Sequence, residues 1–323
     1  MRRRDVLALG LSALPLAITS PFAAAQSRYP EHPIRLVVPR AAGGVVDVVA
    51  RLWAEQVKPQ LGNVVIENQG GGGGIIAATA VARAKPDGYT LLAGTTSELV
   101  ISPVIMSTPA YDPVKDLAPV AITAVSISAL MVHESLPVRT LKELVAYAKA
   151  NPGKLRFSSA GNGTITQMTG EIFAATVGIR LEHVPYRGSA PALTAVMAGD
   201  VELQFDPITI PAIKDGRLVG LATTGETRSP ELPDLPTLRE LGMYGEGGLS
   251  FFGLAGPAGL PPEIIARLAA ALRTVLAMPE VARMMAPVGL HPQFETGEAF
   301  ARRIAQDRAI FGEAVRRTGA RVE

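Results

Sequence analysis

The sequence contains no cysteine, and charged and aromatic residues account for only 19% and 5% of its 323 residues. The absence of cysteine excludes disulfides, thiolate metal sites, a cysteine nucleophile and a lipid-modified cysteine anchor. The formal net charge of +2 comes from Arg2, Arg3, Arg4 and Asp5, so the rest of the chain is neutral. A neutral body lacks the basic surface that displaces counterions from nucleic acid, and no nucleic-acid partner is expected.

Apolar residues make up 48% of the chain, which is enough for a sizeable core. Glycine and proline, with 32 and 26 residues, are more frequent than average but fall short of the composition of disordered linkers. These proportions exclude a coiled coil, a collagen and a wholly disordered protein. The length favours two domains of roughly 150 residues each.

The first 25 residues, MRRRDVLALGLSALPLAITSPFAAA, combine a cationic start, a short apolar run and a small-residue end. This three-part pattern predicts a secretory signal peptide over 1–25 that is cleaved before Gln26. The arginine pair also resembles part of a twin-arginine export signal. No later stretch reaches the roughly 18 uninterrupted apolar residues of a membrane span, so an exported protein without a further membrane segment is expected.

Short runs rich in valine, isoleucine and leucine alternate with helical patterns along the rest of the chain. This alternation predicts an α/β fold with mostly parallel sheets flanked by helices. Two capping boxes, Thr140 with Glu143 and Thr237 with Glu240, predict helix starts. The strand-sized runs are 34–38, 63–66, 90–93, 155–158, 181–184, 201–205 and 218–222. The predicted helices include 165–177, 190–198, 261–277 and 297–317.

The stretch 118–133, APVAITAVSISALMVH, contains two extended apolar runs with no helical connection between them. It suits a strand that leaves one domain and enters another, and a second crossing is expected around 221–227. The sequence therefore predicts a first lobe formed by 26–125 together with 226–323, and a second lobe formed by 126–225.

Signatures of catalysis and of metal binding are missing. The four histidines, His32, His133, His183 and His291, are far apart and lie outside any HExxH motif. Neither GxSxG nor SxxK occurs, and the glycine run 70–74 lacks the GK[ST] ending of a phosphate loop. We expect no cofactor, no metal and no catalytic residue, and we interpret the glycine run as a tight loop before a helix.

Three loops of small residues follow predicted strands and precede predicted helices, at 39–44, 158–164 and 186–189. Small residues let backbone amides approach a ligand, and the helix dipole behind them favours negative charge. Ligands of open α/β sheets bind beyond the carboxyl ends of the strands. Loops from both predicted lobes are therefore expected to close on an anion from opposite sides.

The chain resembles the substrate-binding receptors of tripartite tricarboxylate transporters, the Bug family of periplasmic solute receptors. The segments that carry the resemblance span nearly the whole chain after residue 25, in family order. They are YPEHPIRLVVPRAAGGVVDVVAR (29–51), VVIENQGGGGGIIAATAVARAKPDGYTLL (64–92), GKLRFSSAGNGTITQMTGEIF (153–173), VPYRGSAPALTAVMAGDVELQFD (184–206), LPDLPTLRELG (232–242) and GLAGPAGLPPEIIARL (253–268).

The resemblance implies a type II-like Venus flytrap, with a ligand cleft between two α/β lobes and no catalytic activity. It implies a periplasmic, monomeric receptor that binds a small carboxylate-containing ligand. Di- and tricarboxylic acids, aromatic carboxylates and some amino acids or amides are the ligands of the family. Its partners would be integral-membrane transporter components.

Carried over residue by residue, the resemblance implies a ligand site built from the strand-end loops. Asp206 has two open readings, a hydrogen-bond acceptor for a ligand hydroxyl or ammonium and a cap for the turn before Pro207. The implied ligand-binding residues are Arg40, Ala41, Ala42, Gly43, Gly44, Thr95, Thr96, Ser97, Ser159, Ala160, Gly161, Gly163, Thr164, Arg187, Gly188 and Asp206.

Arg40 departs from the family pattern, in which this position is usually aromatic. One hypothesis is that its guanidinium binds an additional ligand carboxylate through two hydrogen bonds. The other is that it points to solvent and pairs with a surface acid such as Glu67. Gln167 also stands where a histidine is common, and 97–102 lacks an asparagine often found there.

Two further function classes stay open at this point. An exported α/β hydrolase or isomerase would act on small carboxylates with Asp206 or Glu98 as base, although the sequence shows no nucleophile–base pair. A sensory ligand-binding component would need the same cleft as a transport receptor.

Overall fold

The computed structural model describes residues 29–243 and 250–318, and the predicted signal peptide 1–25 lies outside these ranges. No helix within the two ranges combines the length and apolar character that a membrane span requires.

Eleven strands of the described chain form two separate sheets. The strands are β1 Ile34–Val38, β2 Val64–Asn68, β3 Thr90–Thr95, β4 Leu117–Ser126, β5 Ala129–Val132, β6 Arg156–Ser159, β7 Glu182–Pro185, β8 Leu203–Asp206, β9 Val219–Thr223, β10 Ser250–Pro257 and β11 Leu290–Thr296. The six-stranded sheet has the order β11-β4-β10-β3-β1-β2, and the five-stranded sheet has the order β7-β6-β8-β5-β9. The chain passes between the sheets after Ser126 and returns between Thr223 and Ser250.

Helices connect and flank these strands, as the alternating pattern predicts. They are α1 Val45–Gln56, α2 Lys58–Leu61, α3 Ile75–Ala82, α4 Ser102–Ile105, α5 Leu141–Ala150, α6 Ile165–Val177, α7 Ser189–Met197, α8 Ile210–Lys214, α9 Pro262–Leu276, α10 Pro279–Met285 and α11 Gly297–Thr318. A π-helical turn at Ser97–Ile101 and short 3-10 turns at Gly72–Gly74, Pro207–Thr209 and Ala286–Val288 complete the described helical elements.

The predicted α/β class is correct, but only part of each sheet is parallel. Strands β1, β2 and β3, and likewise β6, β7 and β8, pair in parallel where helices connect them. Strands β4, β5, β9, β10 and β11 pair antiparallel with their neighbours. A parallel pair needs a long crossover connection, and helices supply it between β1 and β2, between β2 and β3, between β6 and β7 and between β7 and β8.

The two predicted capping boxes have different outcomes. Thr140 accepts a hydrogen bond from the Glu143 amide and Glu143 accepts one from the Thr140 amide, so α5 begins as predicted. Thr237 also accepts from the Glu240 amide, but Thr237 forms a β-bridge with Thr223 and residues 238–242 form turns. The Glu240 carboxylate pairs with Arg228 instead of returning to the Thr237 backbone, which leaves the box incomplete.

Each sheet is buried on both faces by helices. Leu36 and Val38 of β1 share one apolar cluster with Trp53 of α1 and Leu268 of α9. The opposite face of the six-stranded sheet holds Val37, Leu92, Phe251 and Phe300 in a second cluster. Phe157 and Phe205 anchor a third cluster in the five-stranded sheet, with α5 and α6 packed over it.

The two sheets are joined across the cleft by apolar packing and by loop contacts. Met168 and Ile172 of α6 belong to the same buried cluster as Ile105 and Phe311, which flank the six-stranded sheet. Ser97 Oγ accepts a hydrogen bond from the Ile165 amide at 3.1 Å, and the Ser102 hydroxyl donates to the Gly163 carbonyl at 3.0 Å. The structure is therefore that of a closed molecule.

Gly73 packs directly against the opposite side of the cleft, because a Cβ on it would overlap the carbonyl oxygen of Asn162. Its φ of +64° and ψ of +19° lie in the left-handed region, as do the +68° and +47° of Gly178, where a Cβ would meet no atom within 4 Å. Both substitutions to alanine therefore carry the same backbone strain, about 1 kcal/mol. We expect Gly73→Ala to open the cleft and raise the radius of gyration measured by small-angle scattering.

Gly178→Ala serves as the matched control and should lower stability slightly while keeping the wild-type radius of gyration. Equal scattering profiles for the two variants would contradict a role for Gly73 in closure.

Candidate functional site

A cavity of about 40 Å³, here called the inner cavity, lies between the two sheets. The six-stranded side contributes Arg40 from the loop after β1, and Thr95 and Ser97 from the end of β3. The five-stranded side contributes Asp206 at the end of β8, together with residues at the start of α6 and α7. This is the position beyond the carboxyl ends of the strands that the sequence predicts.

A larger outer cavity of about 420 Å³ adjoins it and shares Arg40 and Ala160 with it. The glycine run 70–74 forms one wall of the outer cavity, and Asn162, Tyr186 and Arg187 lie among the residues opposite. Arg187 is exposed, whereas Arg40 is 6% exposed. The two cavities together form the cleft.

The predicted site residues divide into those that line the cleft and those that support it. Neither cavity is lined by Ala41, Ala42, Gly43, Gly44, Thr96, Ser159, Gly163 or Gly188. Thr96 has a structural role, because its Oγ1 accepts a hydrogen bond from the Phe251 amide at 2.9 Å. The cleft-lining members of the predicted set are Arg40, Thr95, Ser97, Ala160, Gly161, Thr164, Arg187 and Asp206.

Several amides of the small-residue loops are already hydrogen-bonded within the protein, which differs from the prediction that they hold the ligand. The Gly43 amide donates to Asp47 Oδ2 at 2.9 Å, and the Gly161 amide donates to Ser159 Oγ at 3.1 Å. Likewise, the Ala160 amide donates to Thr166 Oγ1 at 2.9 Å, and the Gly163 amide to Gln167 Oε1 at 2.8 Å. These bonds fix the loop shapes, and Gln167 performs this task at the position where the family commonly has a histidine.

Serine hydroxyls near the chain crossings line the inner cavity and were missed by the sequence reasoning. They belong to Ser126, Ser128 and Ser250. Within the described residues, none of these three hydroxyls makes a hydrogen bond, so all are available to a ligand. The sequence signal for two of them was the pair Ser126 and Ser128 within the largely apolar stretch 118–133.

Arg40 forms a buried ion pair with Glu98, at 2.5 Å between Nη1 and Oε1. Glu98 is fully buried, and its other oxygen accepts hydrogen bonds from the Thr95 amide at 3.0 Å and the Thr95 hydroxyl at 2.6 Å. The hypothesis of a solvent-facing Arg40 paired with Glu67 is wrong, because Glu67 pairs with Arg35. The sequence signal for this pair was Glu98 itself, because a carboxylate inside the apolar run 97–101 requires a compensating partner when it is buried.

The glycine run makes room for this ion pair. Gly74 has φ +95°, and a Cβ on it would overlap both Glu98 Oε1 and Arg40 Nη1. The run does precede a helix as predicted, because α3 begins at Ile75. Gly74 is therefore required by its close approach to buried charges as well as by its left-handed backbone.

Asp206 performs both of the roles left open by the sequence. Its Oδ1 accepts a hydrogen bond from the Ile208 amide at 3.0 Å, which caps the turn at Pro207. Its Oδ2 accepts one from the Ser189 hydroxyl at 2.6 Å, and the carboxylate lines the inner cavity. Burial raises the pKa of Asp206 to about 6, and its hydrogen bonds and the positive charge of Arg40 partly oppose this rise.

The structure brings together a serine and a histidine that the sequence did not connect. Ser159 Oγ lies 2.6 Å from His183 Nε2, and burial lowers the pKa of His183 to about 4. Ser159 is fully buried, lines neither cavity, and also accepts a hydrogen bond from the Gly161 amide. The pair therefore shapes the loop after β6 and lies outside the inner and outer cavities. No cluster of metal-ligating side chains occurs within the described ranges.

Removing one partner of the buried ion pair should destabilise the protein strongly. Arg40→Met leaves the Glu98 carboxylate buried without a counter-charge, at a cost of about 3–5 kcal/mol. We expect the double variant Arg40→Met/Glu98→Gln to recover most of that loss, because a glutamine can still accept from Thr95. Urea unfolding of the wild type, both single variants and the double variant measures the coupling, and strictly additive effects would contradict a direct pair.

The raised pKa of Asp206 predicts a pH-dependent stability. Between about pH 4 and pH 6 the folded protein binds the Asp206 proton more tightly than the unfolded chain, so stability from this group falls as pH rises. Asp206→Asn should therefore stabilise the ligand-free protein above pH 6, by up to about 3 kcal/mol, with no gain below pH 4. The opposite slope from His183 is common to both proteins and cancels in the difference.

Urea unfolding between pH 4 and 7.5 tests this expectation, with the exposed Asp200→Asn as the matched control. A difference between wild type and Asp206→Asn that does not change with pH would contradict the assigned shift.

Comparison with known proteins agrees with this architecture. The family model described as Tripartite tricarboxylate transporter family receptor matches residues 49–319. Protein BugT of Bordetella pertussis is 31% identical over 324 residues, which cover 99% of this chain and 99% of that protein. The structure of the periplasmic binding protein BugD is 33% identical with a TM-score of 0.86, and the match covers 91% of this chain and 100% of that one. The structure of R. palustris Rpa4515 with adipate is 32% identical with a TM-score of 0.87, over the same shares of the two chains.

The family match covers most of the sequence, and the structural matches extend over both sheets and the cleft between them. They confirm the resemblance read from the ordered segments and the two-lobed α/β fold. The chain belongs to the tripartite tricarboxylate transporter receptor family, whose members are solute-binding receptors of the Bug type.

Proposed function

We propose that this chain is an exported periplasmic receptor that binds a small carboxylate-containing solute in the inner cavity and delivers it to integral-membrane transporter components. The observation that carries the proposal is the inner cavity itself, which lies between the two sheets and is lined by Arg40 and by free serine hydroxyls. Hydroxyl and guanidinium groups are the donors that carboxylates accept from in proteins.

The similar structure of R. palustris Rpa4515 was solved with adipate, a dicarboxylate, and this supports a carboxylate as the solute class. The predicted signal peptide over 1–25 supports export to the periplasm. We assign the lobes to 26–125 with 226–323 and to 126–225, and treat the receptor as a monomer.

Opening of the cleft must precede binding, because the closed inner cavity of about 40 Å³ holds little more than water molecules. The two chain crossings at Ser126–Ala129 and after Thr223 are the connections that a hinge motion would use. Since Ser126 and Ser128 lie at the first crossing, a ligand bound to them would also stabilise the closed arrangement.

The candidate bases already interact with other groups of the protein, which favours a receptor without catalytic activity over the exported hydrolase or isomerase. Glu98 is paired with Arg40 and Thr95 behind the cavity wall, and Asp206 caps a turn. The Ser159–His183 pair lies outside both cavities. Ser189 does donate to Asp206 at the inner cavity, but no histidine lines either cavity, so no serine–histidine pair of the kind used in acyl transfer faces the cleft within the described residues.

A thermal-shift screen over mono-, di- and tricarboxylates, aromatic acids and amino acids tests the receptor proposal. A ligand present at about 100 times its Kd should stabilise the protein by about 2.7 kcal/mol. We expect discrete hits, with each hit recovered unchanged by mass spectrometry. Conversion of the best hit to a product would contradict the proposal.

Ser128→Ala should weaken the best hit about 10- to 100-fold, because one hydrogen bond to a charged group is lost in a buried site. The exposed Ser107→Ala provides the matched control and should bind as the wild type does. Isothermal calorimetry measures both, and equal affinities would remove the serine at the crossing from the site.

A further inference from the structure

Three segments of the described chain meet where the chain crosses between the two sheets. At the two crossings, the Thr224 amide donates to the Ser128 carbonyl at 2.9 Å, and the Ser128 amide donates to Thr224 Oγ1 at 3.0 Å. Just before β11, the Gly289 carbonyl accepts a hydrogen bond from the Ile127 amide at 3.2 Å. We call these segments, 127–128, 224–231 and 289–291, the hinge cluster, because a rotation of one sheet against the other changes their contacts first.

The hinge cluster contains a histidine that faces a carboxylate. His291 Nε2 is buried and makes no hydrogen bond within the described residues. It lies 3.8 Å from Oε2 of Glu231, a side chain that is 9% exposed and accepts a hydrogen bond from the Ser229 hydroxyl at 2.6 Å. This separation is about 1 Å longer than a charge-assisted hydrogen bond of roughly 2.7–2.9 Å. The two side chains are therefore close enough to pair after a small movement.

This contact connects the two sides of the cleft. His291 belongs to β11, which pairs with β4 of the six-stranded sheet. Leu232, next to Glu231 in the chain, packs with Ala129 and Ile210 on the side of the five-stranded sheet. Opening of the cleft at the crossings therefore changes the distance between the imidazole and the carboxylate.

We propose that His291 and Glu231 form a proton-operated latch, in which protonation of the imidazole draws the two side chains into a hydrogen bond and stabilises the closed cleft. The neutral pair leaves a buried ring nitrogen without a partner, whereas an imidazolium donates to the carboxylate and compensates its charge. The closed form then binds this proton more tightly than an open form in which the pair is separated. Closure is consequently favoured as pH falls through the range of about 8 to 5 in which histidines change charge.

The other charged groups on the elements around His291 have partners of their own or are exposed. Strand β4 carries no charged residue over Leu117–Ser126, and within the described residues Glu231 is the only acid within 4.0 Å of His291. On α10, Glu280 and Arg283 are exposed. The partnered groups are Glu226 with Arg239 and Arg228 with Glu240 in the second crossing, Arg303 with Asp307 on α11, Glu295 with Gln293 on β11, and Arg273 of α9 with the Phe294 ring.

Two other acids contribute to the pH dependence of the protein. Burial raises the pKa of Asp206 to about 6, and burial also raises the pKa of Asp307. Both acids are unchanged when His291 is replaced. Their contributions are therefore common to the wild type and a His291 variant, and they cancel in the comparison.

The experiment measures opening of the ligand-free protein directly. The chain has no cysteine, so Ile76→Cys and Arg187→Cys introduce two specific sites for spin labels. Both residues are exposed and lie on opposite sides of the outer cavity. Double electron–electron resonance at pH 5.5 and pH 8 then gives the ratio of closed to open molecules. We expect this ratio to be about 3- to 10-fold higher at pH 5.5, the contribution of one hydrogen bond in a half-buried charged pair.

His291→Gln, made in the same labelled protein, should abolish the difference between the two pH values, because glutamine does not titrate. Glu231→Gln should abolish it as well, although its amide oxygen can still accept from Ser229. His32→Gln is the matched control, since His32 is exposed and stacks on Tyr89, and it should keep the wild-type response. Thermal unfolding establishes that each variant is folded.

A wild-type ratio that is the same at both pH values would overturn the latch. A pH response that persists in His291→Gln or in Glu231→Gln would also overturn it, because the response would then arise from other groups. The measurement contains no solute, so either result leaves the proposed receptor function standing. Conversely, a failed search for a carboxylate ligand would contradict the receptor function without changing the expected response of the latch.

Discussion

The buried ion pair between Arg40 and Glu98 is the interaction on which the cleft depends. Two charges taken out of water are tolerated only when they compensate each other and their remaining donors and acceptors are satisfied. Thr95 supplies two hydrogen bonds to Glu98, the Pro39 carbonyl accepts one from Arg40, and Gly74 leaves the space in which the charges meet. The loops after β1 and β3 and the glycine run are thereby fixed relative to each other, and together they form one wall of the cleft.

The opposite wall is ordered by its own hydrogen bonds. Thr166, Gln167 and Ser159 accept from amides of the loop after β6, so hydrogen bonds within the protein fix the shape of this loop. Because these amides are already engaged, the polar groups that the cleft offers on this side are mainly side chains. The inner cavity is lined by Ser126, Ser128 and Ser250 near the chain crossings, by Arg40 and by Asp206.

Closure is stabilised by apolar contacts as well as by polar ones. Met168 and Ile172 of α6 pack into the same cluster as Ile105 and Phe311, so opening of the cleft exposes apolar surface to water. Asp206 acts in the opposite direction, because an uncompensated buried carboxylate costs free energy in the ligand-free protein. A group that lowers the stability of the ligand-free protein and faces a cavity is typical of functional sites, because a bound ligand can offset that free-energy cost.

The sequence by itself determined the α/β class, the positions of the strand-end loops and the family, because apolar periodicity, capping residues and small-residue turns are local signals. It placed the start of α5 at Thr140 through a complete capping box. It failed at Thr237 because Arg228, in the same connection between β9 and β10, takes the Glu240 carboxylate. It also indicated that Arg40 and Asp206 belong to the site. Only the tertiary structure decided that Arg40 pairs with Glu98, that Ser126, Ser128 and Ser250 converge on the cavity, and that His183 meets Ser159. These contacts join residues on different strands and loops. Which of those side chains meet depends on the topology of the two sheets, and the spacing of residues along the sequence does not contain that information.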